Sequence, residues 1–142
     1  MPSTETSIWL ALRGQVESLV LDPIHAVSYP NEAFTPPTDD TGPMPYLVVT
    51  HLPNTTNRPF IGSDDEQQFQ GILQIAVMSK PNQDSSVAVE YAGQVADHFA
   101  TGLILKNGSA RVRITKRADI SQGFAQNGLW MTPVSIQYLS FN

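Results

Sequence analysis

Residues 67–99 read QQFQGILQIAVMSKPNQDSSVAVEYAGQVADHF, and this stretch predicts a strand, a turn and a helix in direct succession. Apolar residues recur at every second position from Phe69 to Val77, which is the period of a strand with one buried face. Pro81 ends the strand because it has no N–H to donate. The residues at 84–86, Asp-Ser-Ser, supply side-chain oxygens that can cap the start of a helix.

A helical stripe follows this turn. Its members are spaced four residues apart and are flanked by a row of alanines: Val87, Tyr91, Val95 and Phe99, with Ala88, Ala92 and Ala96 one position on. This spacing predicts an amphipathic helix with a narrow shoulder of small residues. Gly102 suits the left-handed position just past the end of a helix. The strand and the helix both have apolar faces that other elements must cover.

The remaining elements follow from the same patterns. Residues 3–21 predict a first helix that ends at Asp22-Pro23, and residues 25–29, 46–52, 103–105, 110–115 and 129–141 predict strands. One side of this helix is apolar and is expected to be buried; it consists of Ile8, Leu12, Val16, Leu19 and Val20. Trp9 would lie at the edge of that side. Asn107-Gly108 suits a tight hairpin turn. Residues 119–128 predict a polar connection, and Pro133 demands a bulge or an unpaired edge position in the last strand.

Runs of strands with two helices, rather than strict strand–helix alternation, indicate an α+β fold. We predict a two-layer sandwich in which about two helices pack on a mainly antiparallel sheet of five or six strands, with long extended loops. The chain of 142 residues forms a single domain, 1–142, on this prediction.

The composition narrows the classes of function. The chain has no cysteine, which excludes disulfides. Its formal net charge of −5 disfavours a surface that binds nucleic acid tightly. The basic residues near 111–117 are interpreted as a solvated strand face. We expect no export and no membrane anchoring, since neither a signal segment nor a long apolar run is present.

The search for chemistry finds no catalytic or metal-binding constellation. His25, His51 and His98 do not stand at metal-ligand spacing; His98 is expected to face solvent and His51 to be half-buried and hydrogen-bonded. The acidic pair at 39–40 and the acidic run at 64–66 are interpreted as solvated loop charge, because they lack the ordered spacing of a calcium loop. No cofactor is expected.

A set of ordered motifs carries a resemblance to a known family. The motifs are YPNE-x-FTPP at 29–37, PYL-x-V at 45–49, GILQI at 71–75, the alanine-rich helix, and W-x-x-PV-x-I-x-Y at 130–138. In this order the chain resembles the tail-terminator-like proteins of tailed bacteriophages and prophages, nearly from end to end.

The resemblance implies a structural role without catalysis. Such proteins form a hexameric ring on the end of the tail tube, stop its polymerisation and join it to the head-completion protein. The expected partners are therefore copies of the same chain, the tube protein and the head-completion protein. DNA would pass through the ring without specific binding and no membrane is involved. The expected location is the virion tail, assembled in the cytoplasm of the host bacterium.

Two extended segments are the candidates for ring contacts, residues 29–45 and 53–66. A ring needs head-to-tail contacts that close by rotation, and extended segments can dock on a neighbour's sheet edge. Phe34 is expected to pin the first segment to the core. The candidate interface residues are Asn31, Glu32 and Thr35 in the first segment and Asn57, Arg58, Phe60 and Ile61 in the second.

Two alternatives stay open. The first is a bacterial module that binds a peptide or small ligand without catalysis, which would require a deep apolar pocket with a few convergent polar groups. The second is an enzyme built around His51 and the acidic run at 64–66, which would require these groups to share one cleft.

Overall fold

The computed structural model describes residues 3–21, 25–40, 42–53, 68–108, 110–126 and 128–141. The elements in chain order are α1 Thr4–Glu17, β1 Ala26–Ser28, β2 Thr38–Asp39, β3 Gly42–Pro43, β4 Tyr46–Pro53, β5 Gln68–Ser79, α2 Ser85–His98, β6 Ile104–Asn107, β7 Ala110–Ile114, β8 Asp119–Ile120, β9 Phe124–Gln126 and β10 Leu129–Phe141. No helix among the described residues is long and apolar enough to cross a membrane.

One large sheet runs in the order β1-β4-β5-β10-β7-β6, and β8 and β9 also pair with β10. The sheet is mixed, since β1 is parallel to β4 and the other pairs are antiparallel. The predicted α+β class is confirmed. The sheet has eight strands because the polar connection at 119–128 contributes β8 and β9, whose exposed residues hid their strand pattern.

The long β5–β10 ladder forms the middle of this sheet. It pairs Gln68 with Phe141 at one end and Ser79 with Trp130 at the other without interruption, so no bulge occurs at Pro133 on this side. The Pro133 carbonyl accepts a hydrogen bond from Ser121 N at 2.9 Å. Because a strand residue directs its N–H and C=O to the same side, the missing N–H of Pro133 faces the link between β8 and β9, and the β5 ladder loses nothing.

Both helices share the main core with one face of the sheet. Leu47, Ile75, Val112 and Ile136 lie on this face and are at most 1% exposed, and they form one cluster with residues of α1 and α2. In α2 the alanines take the innermost positions, since Ala88, Ala92 and Ala96 are buried while Val87 and Tyr91 are only half-buried. The small side chains let the helix axis approach the sheet closely.

The helix ends differ in part from the sequence prediction. α1 ends at Glu17 and not at residue 21, so Val20 lies beyond the helix and is 79% exposed, whereas a buried position was predicted. His98 was predicted to face solvent, but it is half-buried and its Nε2 lies 2.8 Å from the Gln15 carbonyl oxygen of α1. Gln15 Nε2 in turn donates to the His98 carbonyl at 2.8 Å. This reciprocal pair ties the ends of the two helices together.

On the opposite face of the sheet, the described residues form a small apolar cluster. Ala76, Met78 and Leu129 are buried there, with Tyr46, Val48 and Met131 packed against them. Phe34 is half-buried and its ring centroid lies 5.2 Å from that of Tyr46. Phe34 therefore pins the extended segment as predicted, but it does so on this satellite cluster and not in the main core.

Candidate functional site

Three features outside the core could carry a function: the segment at 29–45, a pocket beside β4, and the outer face of the β6–β7 hairpin. The segment at 29–45, called the arm below, leaves the sheet after β1 and returns to it as β4. Its tip is a small hairpin, in which Thr38 pairs with Pro43 and Asp39 with Gly42.

The beginning of the arm is fixed to α1. The Arg13 guanidinium lies 3.9 Å from the centre of the Tyr29 ring and forms an ion pair with Glu32. The hydrogen bond to Glu32 is the main cause that raises the pKa of Arg13 above its ordinary value. Asn31 has a positive φ of 58°, a conformation that asparagine tolerates better than most residues. These contacts fix the direction in which the arm leaves α1.

The predicted interface residues divide into two groups. Asn31, Glu32 and Thr35 are exposed along the arm, and Glu32 already has a partner in its own chain. The second group lies outside the described residues: Asn57, Arg58, Phe60 and Ile61. The same holds for the acidic run at 64–66, so its distance from His51 is not part of the described structure.

A pocket opens between α1 and the ends of β4, β5 and β10. Its volume is about 320 Å³, and Ile8, Trp9, His51, Phe69 and Tyr138 are among the residues that line it. The rings of Trp9 and His51 stack with centroids 5.5 Å apart. The imidazole Nε2 lies 2.6 Å from the Tyr138 hydroxyl. Trp9 is thus at the edge of the core, as predicted, and the prediction of a half-buried, hydrogen-bonded His51 is confirmed.

Burial sets the protonation of this pair. Desolvation lowers the pKa of His51 and raises the pKa of Tyr138 to about 12, so both groups are neutral near pH 7. A neutral imidazole bonded to a neutral phenol can orient a polar group of a ligand. The register of β4, β5 and β10 brings His51 and Tyr138 together, and no pattern within a single segment reveals this.

We expect His51→Gln to reduce the amount by which the free energy of unfolding falls between neutral pH and mild acid. Because folding lowers the pKa of His51, the unfolded chain binds a proton below about pH 6.5 that the folded chain resists. The free energy of unfolding therefore falls as the pH drops through this range. Glutamine keeps a polar group for Tyr138 but cannot titrate. Urea midpoints at about pH 7.5 and 5.5 measure the difference, and an equal loss in both proteins would contradict it.

The outer face of the β6–β7 hairpin is basic. Val112 and Ile114 are buried, so Arg111 and Arg113 project from the opposite side of β7. Cross-strand pairing sets Lys106 opposite Arg111. Among the described residues, none of these three cations forms an ion pair, whereas Lys116 contacts Asp119 at 3.0 Å and Arg117 contacts Asp97 at 2.6 Å. The described residues contain no group of three or more side chains that could hold a metal ion.

Comparison with known proteins adds the following findings. The sequence model of a family described as "Phage tail terminator protein" matches residues 7–138. One similar solved structure, of a protein without a functional name, has a TM-score of 0.67 and 22% identity, and the alignment covers 92% of this chain and 93% of that chain. At this identity the likeness supports the fold alone. No curated protein matches the chain.

Proposed function

Because the chain belongs to the phage tail terminator family, we propose that it forms a hexameric ring on the end of the tail tube, stops tube polymerisation and joins the tube to the head-completion protein. The observation that carries this proposal is the family match over residues 7–138. The family is one of phage structural proteins, so the chain is a component of the virion tail.

The fold is compatible with a closed ring. Head-to-tail contacts require two different surfaces of one subunit, and the sheet offers the arm beside β1 at one edge and the β6–β7 hairpin at the other. We propose that the fold has two layers, with both helices on one face of the sheet. Residues of both helices form one cluster with residues of that face. The other face is then available for contacts.

The proposed role needs no catalysis and no cofactor. It also allows DNA to pass without specific binding, because a chain with a net charge of −5 neutralises few phosphates. Assembly would take place in the cytoplasm of the host bacterium.

Inactivating the gene in a phage or prophage that produces virions tests this role. We expect tubes without joined heads and of uncontrolled length, because nothing stops polymerisation, and we expect the wild-type gene supplied in trans to restore joined tails. Electron microscopy of lysates gives the distribution of tube lengths and the fraction with heads. Normal tails in the mutant would contradict the proposal.

The pocket favours a second candidate function, that of a module that binds a peptide or small ligand. It is lined by apolar and aromatic groups with a polar pair at one side, as small-molecule sites often are. Indole is a suitable probe of the pocket. Saturable NMR shifts confined to His51 and Tyr138 in wild type and absent in Trp9→Ala would support this candidate, and the absence of such shifts in wild type would remove its main support.

A further inference from the structure

We infer that the arm of one subunit docks on the basic outer face of the β6–β7 hairpin of the next subunit, and that opposite charge selects this contact. The inference rests on the proposed ring and deepens it, since it names the two surfaces that meet.

The two surfaces carry opposite charges. The arm, residues 29–45, contains Glu32, Asp39 and Asp40 and no lysine or arginine. Because Glu32 is paired with Arg13 of its own subunit, Asp39 and Asp40 supply the charge for a contact. The hairpin with its flanks, residues 103–115, contains Lys106, Arg111 and Arg113 and no acidic residue. In a chain with 13 acidic and 8 basic residues, this clean separation makes each surface an electrostatic match for the other and not for itself.

The two surfaces do not meet within one subunit through the sheet. Four strands, β4, β5, β10 and β7, separate the edge strand β1 from the edge strand β6. The arm connects β1 to β4 and so emerges at the first edge, while the cations lie at the second. A contact between them is therefore head-to-tail between copies, the kind of contact from which a closed ring is built.

The basic face also has features of a contact surface. Like charges directly opposite each other destabilise a sheet, yet Lys106 stands opposite Arg111. Ile104 is 54% exposed beside them, opposite Arg113, and Arg113 is paired in turn with Leu139. A patch of apolar side chains framed by cations can bury its centre against an acidic, proline-rich segment and relieve the repulsion.

Protection of an exposed edge is the competing explanation, since lysine on an edge strand prevents uncontrolled pairing. Reversal of the charge separates the two explanations. Arg111 and Arg113 lie on β7, inside the sheet, so Arg111→Glu/Arg113→Glu leaves Lys106 in place on the edge strand β6. The same double substitution repels an acidic arm.

The test is a charge exchange between the surfaces, measured as the concentration at half-assembly by light scattering, with purified tube protein present if the ring needs it. Arg111→Glu/Arg113→Glu is expected to raise this concentration about tenfold or more, since close charge pairs across interfaces are strongly coupled. Asp39→Lys/Asp40→Lys is expected to do the same. The chain with all four changes is expected to assemble again at close to the wild-type concentration.

Lys116→Glu/Arg117→Glu is the matched control, because it changes the net charge as much as the arginine pair does but acts on cations already paired within the subunit. It should leave assembly unchanged, and thermal melting should show that every variant is folded. The inference would be overturned if the control variant also failed to assemble, or if the variant with all four substitutions did not recover assembly.

Two further outcomes distinguish a failure of the arm contact from a failure of the proposed ring. Normal assembly of Arg111→Glu/Arg113→Glu, with a loss of salt-dependent DNA binding instead, would overturn the arm contact and assign the basic face to DNA while the ring stands. A wild-type chain that stays monomeric even with tube protein would contradict the proposed function itself, and the inference with it.

Discussion

Phe99→Ala is expected to lower the free energy of unfolding by about 3–5 kcal/mol. Phe99 follows the last turn of α2 and has no exposed surface, and its ring belongs to the main cluster that joins both helices to the sheet. Truncation removes the transfer free energy of the ring and leaves a cavity that the surrounding strands cannot fill. Urea or guanidinium unfolding, with the slope compared between variants, measures the loss.

Phe124→Ala is the matched control for this prediction. Phe124 lies on β9 and is 43% exposed, so the same substitution there should cost much less, about 1 kcal/mol or below. Equal losses at the two positions would show that α2 does not close the core as described. A loss at Phe99 below about 1.5 kcal/mol would lead to the same conclusion.

Gly71→Ala is expected to destabilise the fold by about 1–3 kcal/mol and to break the His51–Tyr138 hydrogen bond. A Cβ at this position would stand 2.7 Å from the Tyr138 hydroxyl and 2.8 Å from the Leu52 carbonyl oxygen. The tyrosine can move, but the carbonyl belongs to the backbone of the adjacent strand β4 and cannot yield without distorting the ladder. NMR titration of His51 together with denaturant unfolding gives both readouts.

Gly93→Ala serves as the opposite control. Gly93 lies inside α2, and a Cβ there meets nothing within 4 Å, so alanine should stabilise the helix by up to about 1 kcal/mol. Stabilisation at both positions would contradict the close approach of β4, β5 and Tyr138 at Gly71.

The elements with a strong local period could be predicted from the sequence. β5, α2 and β10 follow from alternation or helical spacing, and Gly108 has the positive φ of 59° that its hairpin turn requires. Elements whose structure is decided by tertiary contacts were not predicted. The residues of β8 and β9 are largely exposed, and these strands form because β10 offers its edge. His98 faces α1 because the two helices end beside each other, which no local pattern reveals.

The candidate surfaces were predictable only in part. The arm was predicted as an extended segment at 29–45. The basic residues near 111–117 were interpreted as one solvated group, but the structure divides them into two ion-paired cations and two that stand on the outer face of β7 without an acidic partner in the described chain. The pocket depends on strand register, which pairs Gly71 with both Pro53 and Tyr138 and is not encoded in any single segment.

Imaging the purified chain on the ends of tail tubes by electron microscopy tests the central claim most directly. The account predicts a closed ring of six copies on one end of each tube, with the arm of every subunit against the β6–β7 hairpin of its neighbour. Tubes that bind no ring, with the chain remaining monomeric beside them, would contradict it.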